Sequence, residues 1–107
     1  MLVVLMLALA GPSPQSINQP RKNYAACLSV FEKKSRADKM DPAAYSAAAK
    51  SACPAEAAAL TAALVAYDVG MGSKRAAAQA SAAADIADYV ITSEERYRDT
   101  MAATRPQ

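Results

Sequence analysis

Apolar positions recur at helical spacing through most of this chain of 107 residues. Tyr24, Cys27, Leu28 and Phe31 fall at i, i+3, i+4 and i+7 and predict an amphipathic helix from Arg21 to about Ala37. Asp41-Pro42 predicts the start of a second helix, because Asp caps free backbone N–H groups and Pro fits the first helical position. That helix runs through Tyr45 and Ala49 toward Cys53. Pro54 then predicts a kink or a short break, with helix resuming to about Val69. On the resumed part Leu60, Leu64, Tyr67 and Met71 share one face, while Val65 and Val69 point nearly the other way. A helix apolar on two sides sits between two neighbours.

Gly70-Met71-Gly72-Ser73 predicts the next break, with glycine closing one helix and Ser73 capping the next. The last helix is expected from Lys74 to Ala102 or Ala103, with Ala83, Ile86, Val90, Tyr97 and Met101 on one face. Thr92-Ser93-Glu94-Glu95 is a capping-box pattern that admits a break, but the continuous apolar face predicts an unbroken helix. Tyr24, Tyr45, Tyr67 and Tyr89 recur every 21 or 22 residues, yet the residues between them do not align, so no repeat is read.

The ends depart from this periodicity. Met1 to Ala10 is an unbroken apolar run, too short for the ~20 residues of a membrane span. It closes on Ala8-Leu9-Ala10, a small-x-small pattern of the kind signal peptidase cuts, although only the α-amino group supplies the positive charge expected before it. The run reads as a signal peptide (1–10), with a buried N-terminal helix as the alternative. No cysteine follows the cleavage pattern, so no lipoprotein anchor is expected. Residues 11–20 contain Pro12, Pro14 and Pro20 and read as a flexible leader that holds no helix. The helical domain is expected over 21–103, with a frayed tail at 104–107.

Alanine dominates the composition, and large aliphatic residues are scarce after the first ten positions. Alanine is the best helix former, and the net charge of only +2 does not favour disorder. The fold class is therefore all-α: a small antiparallel bundle of about three helices with a thin core. A core of this size supplies only ~3–5 kcal/mol, so a staple matters. Cys27 and Cys53 are the only cysteines. Each lies thirteen residues from Met40, at the expected turn, so an antiparallel hairpin brings them face to face. One disulfide is the reading. Two free buried thiols and a redox-active pair are the alternatives, the last departing widely from Cys-x-x-Cys spacing.

Arg21, Lys22, Lys33, Lys34, Arg36 and Lys39 give residues 21–40 a net charge of +4 against Glu32 and Asp38. Cations in a last helical turn stabilise the negative end of the helix dipole, which accounts for part of the cluster. The sharper reading is an anion-binding patch for acidic lipid or another envelope polyanion. Near-neutral charge overall gives no sign of nucleic-acid binding. There is no histidine, so the triads and zinc sites that use it are absent. Asp85 with Asp88, and Glu95 with Asp99, sit at helical spacing, but such pairs are commonly a solvated face, and Arg96 and Arg98 are placed to neutralise the second. No phosphate loop, zinc spacing or calcium loop is present, and no metal or cofactor is expected.

The pattern Tyr24-Ala-Ala-Cys27-Leu28, then Asp41-Pro42-Ala-Ala-Tyr45, then Ala52-Cys53 with Glu56, resembles small exported helical proteins of alphaproteobacteria carrying a single disulfide. The resemblance covers about residues 24–100. It implies export and the disulfide, and carries over no activity. In kind rather than in sequence, the chain is similar to small periplasmic acid-stress chaperones. The expected function is a non-enzymatic interaction or envelope protein, periplasmic or secreted, whose partner is a second copy or another protein. Binding to an anionic lipid surface is the alternative, and an enzyme using Lys, Glu56, Asp85 or Asp88 the third.

Overall fold

Two prolines set the division of the middle of the chain. The computed structural model describes residues 13–103. These form α1 (Gln15–Ala37), α2 (Pro42–Ala49), α3 (Pro54–Gly70) and α4 (Arg75–Ala103), and among the described residues there is no strand. Asp41 is extended, and its Oδ2 accepts from the Ala43 N–H at 3.1 Å, so α2 opens on a capped Asp with Pro42 at its first position. Pro54 has no N–H to give and forces its predecessor off the helical path. Cys53 accordingly has φ −129° and ψ 62°, and a new helix begins at Pro54. α2 and α3 are thus one arm broken into two, bent by 53°. The expected three helices are four only because of this break.

Both reversals of direction close in the same way. After α1, the Lys39 N–H bonds the Arg36 carbonyl and the Met40 N–H bonds the Ser35 carbonyl, with Lys39 at φ 55°. After α3, Gly72 and Ser73 bond the Val69 and Asp68 carbonyls, with Gly72 at φ 105°. This is the Schellman arrangement, which satisfies carbonyls left over at a helix end. Glycine adopts the left-handed conformation freely; Lys39 does so at a cost of about 1–2 kcal/mol.

The arms pack in an antiparallel bundle, with α3 between α1 and α4 and α2 against the second half of α4. One core cluster joins Ile17, Tyr24 and Leu28 of α1 to Leu60, Leu64 and Val65 of α3 and to Ala78 and Ala82 of α4. The second joins Tyr45 and Ala49 of α2 to Val90 and Tyr97 of α4, with Phe31, Met40 and Met101 at its edge. Ala49, Ala78 and Ala82 are each 1% exposed. A methyl group at the contact lets helix axes approach to the close end of the usual 8–10 Å range.

Two sequence expectations need correction. Residues 15–20 are helical, not a flexible leader, and α1 starts six residues before Arg21. The Ser13 hydroxyl accepts from the Gln15 N–H at 3.2 Å and starts the helix. Ile17, seven residues before Tyr24, extends the same apolar stripe and is 7% exposed. Burying it yields about 1.5–3 kcal/mol, enough to offset most of the ~3 kcal/mol that Pro20 costs inside a helix. Ala83 and Met71 are exposed rather than facing the core; Ala82 takes the buried place on α4, and Met71 projects from the turn, 64% exposed. α4 runs unbroken through Thr92, as the apolar face predicted. The signal peptide read over Met1–Ala10 and the tail at 104–107 lie outside the described residues. Among the described residues, no single helix is long and apolar enough to cross a membrane.

Candidate functional site

The polar chemistry of the core is concentrated where α1, α2 and α4 meet. Glu32, Ser93 and Tyr45 are 5%, 1% and 0% exposed. Glu32 lies four residues after Leu28 on the buried stripe of α1, and Ser93 lies between Val90 and Tyr97 on the buried face of α4. Ser93 donates to Glu32 Oε1 at 2.7 Å. That uses its only proton, so the Tyr45 hydroxyl must donate to Ser93 Oγ. On the other side Arg96 forks onto the carboxylate, with Nε at 3.0 Å from Oε2 and Nη2 on Oε1. The order of donors runs Tyr45 to Ser93 to Glu32, with Arg96 closing the end.

Aromatic stacking surrounds this chain of bonds. The Tyr45 ring stacks on Tyr97 at 4.0 Å between centroids and on Phe31 at 5.4 Å. The Tyr97 hydroxyl reaches the carbonyls of Ser35 and Met40, tying α4 to the turn after α1. Burial pushes the Tyr45, Tyr97 and Tyr24 phenols above their ordinary value. Burial also pushes the Glu32 carboxyl up, but hydrogen bonds from Arg96 and Ser93 and the charges of Arg96 and Arg36 outweigh it and hold it below the ordinary value.

Ser93 and Glu32 have the separation of a nucleophile and its base. The arrangement is nevertheless closed: Ser93 is buried, and the guanidinium covers the carboxylate and weakens it as a base. The cleft beside it, about 300 Å³, is lined by Ala25, Leu28, Asp88, Tyr89, Thr92 and Arg96, and reaches neither Ser93 nor Glu32. What the network does chemically is fix the mutual position of three helices.

A pH dependence follows. A carboxyl whose folded value is lowered adds stability above its unfolded value, and loses that contribution as pH falls through the folded one. Glu32→Gln is expected to cost about 1–2 kcal/mol at pH 7, a figure kept low because the Arg96 side chain is 53% exposed. The gap between wild type and variant should narrow as pH falls through and below the ordinary carboxylate range. Urea melts of both proteins from pH 7 to pH 3 check this, and a gap independent of pH would remove the charge from the explanation.

The second place of interest is the foot of α3. Cys27 and Cys53 are joined in a disulfide, with Cα atoms 6.2 Å apart, as the symmetry about Met40 predicted. A disulfide is compatible with an oxidising extracellular compartment. Cys53 is 3% exposed, and Cys27 is half-buried. Glu56, at the third position of α3, has a buried Oε2 without a hydrogen-bond partner.

The six basic residues of the expected anion site do not form one patch. Arg21 and Lys22 are exposed on the first half of α1; Lys33 and Lys34 are exposed near its end, Arg36 is half-buried and Lys39 is exposed in the turn. Helical rise puts about 16 Å between Lys22 and Lys33. Arg36 acts on Glu32, and exposed Asp38 and Asp41 sit among the second group.

No family model, curated protein or solved structure matches this chain.

The network was not read from the sequence. Local spacing pairs Arg96 and Arg98 with Glu95 and Asp99, whereas Arg96 bonds Glu32 across the bundle. The available signal was a carboxylate on an apolar stripe, Glu32 after Tyr24 and Leu28, which calls for a buried partner.

Proposed function

We propose that this chain is a non-enzymatic, exported helical binding protein that docks a partner helix on the outer faces of α3 and the first half of α4. One observation carries the reading. Every exposed residue of α3 is Pro54, an alanine or Gly70. On α4 no exposed residue between Arg75 and Asp88 is charged, and six of them, Ala76, Ala77, Ala80, Ala83, Ala84 and Ala87, are alanine. A solvated helix face ordinarily carries Lys and Glu. Exposed Met71 stands at the turn joining the two helices.

Methyl-surfaced helices bring no large side chains of their own to a contact. A second alanine face would therefore gain little, and the fitting partner is an amphipathic helix that presents large aliphatic residues. Export is supported by the disulfide and by the apolar Met1–Ala10 run. Anionic-lipid binding is the weaker reading, because its cations are split and interleaved with Asp38 and Asp41.

Ala62→Glu tests the reading. Ala62 is exposed on α3 and Glu is a good helix former, so the variant is expected to melt like wild type. Cross-linking in envelope extract is expected to capture a discrete partner with wild type, and about tenfold less of it with the variant, the effect of ~1.4 kcal/mol for a charge placed in an apolar contact. Equal capture by both, or none by wild type, would end the proposal.

A further inference from the structure

Among the described residues, one group of three potential metal donors comes together: Cys27 Sγ, Cys53 Sγ and a Glu56 carboxylate oxygen all lie within 4.8 Å of one another. While the sulfurs are bonded to each other they offer Glu56 no proton, and its Oε2 is buried without a partner. A buried polar oxygen left unpaired is costly and asks for an explanation.

Reduction changes what the sulfurs are. Two thiolates beside one carboxylate form a trianionic pocket that is strongly repulsive when empty. It matches a borderline-soft divalent cation, which takes sulfur at about 2.3 Å and carboxylate oxygen at about 2.0–2.2 Å in tetrahedral geometry. The local spacing also fits. Cys53 precedes α3 and Glu56 is its third residue, so Cys53-x-x-Glu56 has the two-residue gap of many zinc-ligand pairs, with Cys27 closing from α1.

We propose that reduction of the Cys27–Cys53 disulfide converts the foot of α3 into a site for Zn²⁺, held by the two thiolates and the Glu56 carboxylate, with the fourth position open to water. A dithiol reductant supplies two electrons and two protons, becomes a disulfide itself, and leaves two cysteine thiols. Zn²⁺ then displaces both thiol protons to solvent. Disulfide and metal exclude each other, so one site holds a covalent staple under oxidising conditions and a metal staple under reducing ones. The inference does not depend on the partner surface.

Co²⁺ is the probe, added to the full chain after reduction with a phosphine and desalting under argon. The reduced wild type is expected to bind one Co²⁺, with a thiolate-to-cobalt charge-transfer absorption and tetrahedral visible bands, and Zn²⁺ is expected to displace it. The oxidised chain is expected to show neither. Glu56→Gln is expected to weaken binding by about tenfold or more while keeping the thiolate band. Zn²⁺ is also expected to raise the melting midpoint of the reduced chain, because a ligand stabilises the fold only by preferring it. Absence of the band, equal affinity in Glu56→Gln, or binding without a rise in midpoint (chelation by unfolded chain) would each overturn the proposal.

Discussion

Tyr45→Ala is expected to lower stability by about 3–5 kcal/mol. Tyr45 is fully buried, and on α2 only Tyr45 and Ala49 are buried. Removing its ring takes away two aromatic stacks and leaves a cavity between α2 and α4. It also deprives Ser93 of its incoming donor. Tyr45→Phe separates these effects: it keeps the ring and should cost only about 1–2 kcal/mol for the lost hydroxyl. Urea denaturation followed by circular dichroism measures both. If Tyr45→Ala costs no more than Tyr45→Phe, the second core cluster contributes little and the bundle rests on the first alone.

Replacing both cysteines by alanine is expected to cost about 3–4 kcal/mol. The bond closes a sequence separation of 26 residues, and this is the entropic restriction of the unfolded chain for a loop of that size. In a domain of roughly this length each kcal/mol moves the melting midpoint by about 4–8 °C, so a fall of tens of degrees is expected. The double variant cannot bind Zn²⁺ through thiolates, which separates the loss of the covalent link from any metal effect. A midpoint within about 5 °C of wild type would mean that packing alone suffices.

How far the fold was legible depended on the kind of residue. Prolines and caps were decisive: Asp41-Pro42 started α2, Pro54 ended the run before it, and Gly72 closed α3. Large apolar residues at helical spacing located α1 and α3, and the equal distance of the two cysteines from Met40 made their pairing readable. Alanine misled, because a methyl group is as common on a wet face as on a packed one; Ala83 was placed inward when Ala82 is the buried one. Proline misled once, at Pro20, where the stripe continued by Ile17 outweighed the local penalty. The polar network was illegible for a different reason. Glu32 and Arg96 are 64 positions apart, and nothing in local spacing pairs a carboxylate with one particular arginine. The cluster at the foot of α3 was hidden similarly, since its third donor is the Glu56 carboxylate and neither a His nor a Cys-x-x-Cys partner.

The position of the staple relative to α2 has a consequence for partial opening. α2 has eight residues, far fewer than the ~12–15 an isolated helix needs to persist in water. It is held between the turn after α1 and the Cys53 junction, and its grip on α4 comes through Tyr45 and Ala49. If it swings away, the disulfide and the contacts of α1, α3 and α4 around it stay made, because the bond lies at its foot and not along its length. α2 is therefore a latch on an otherwise stapled body. Its amide protons are set to exchange with solvent through that local excursion, well ahead of those in α3, whose release requires the whole molecule to come apart.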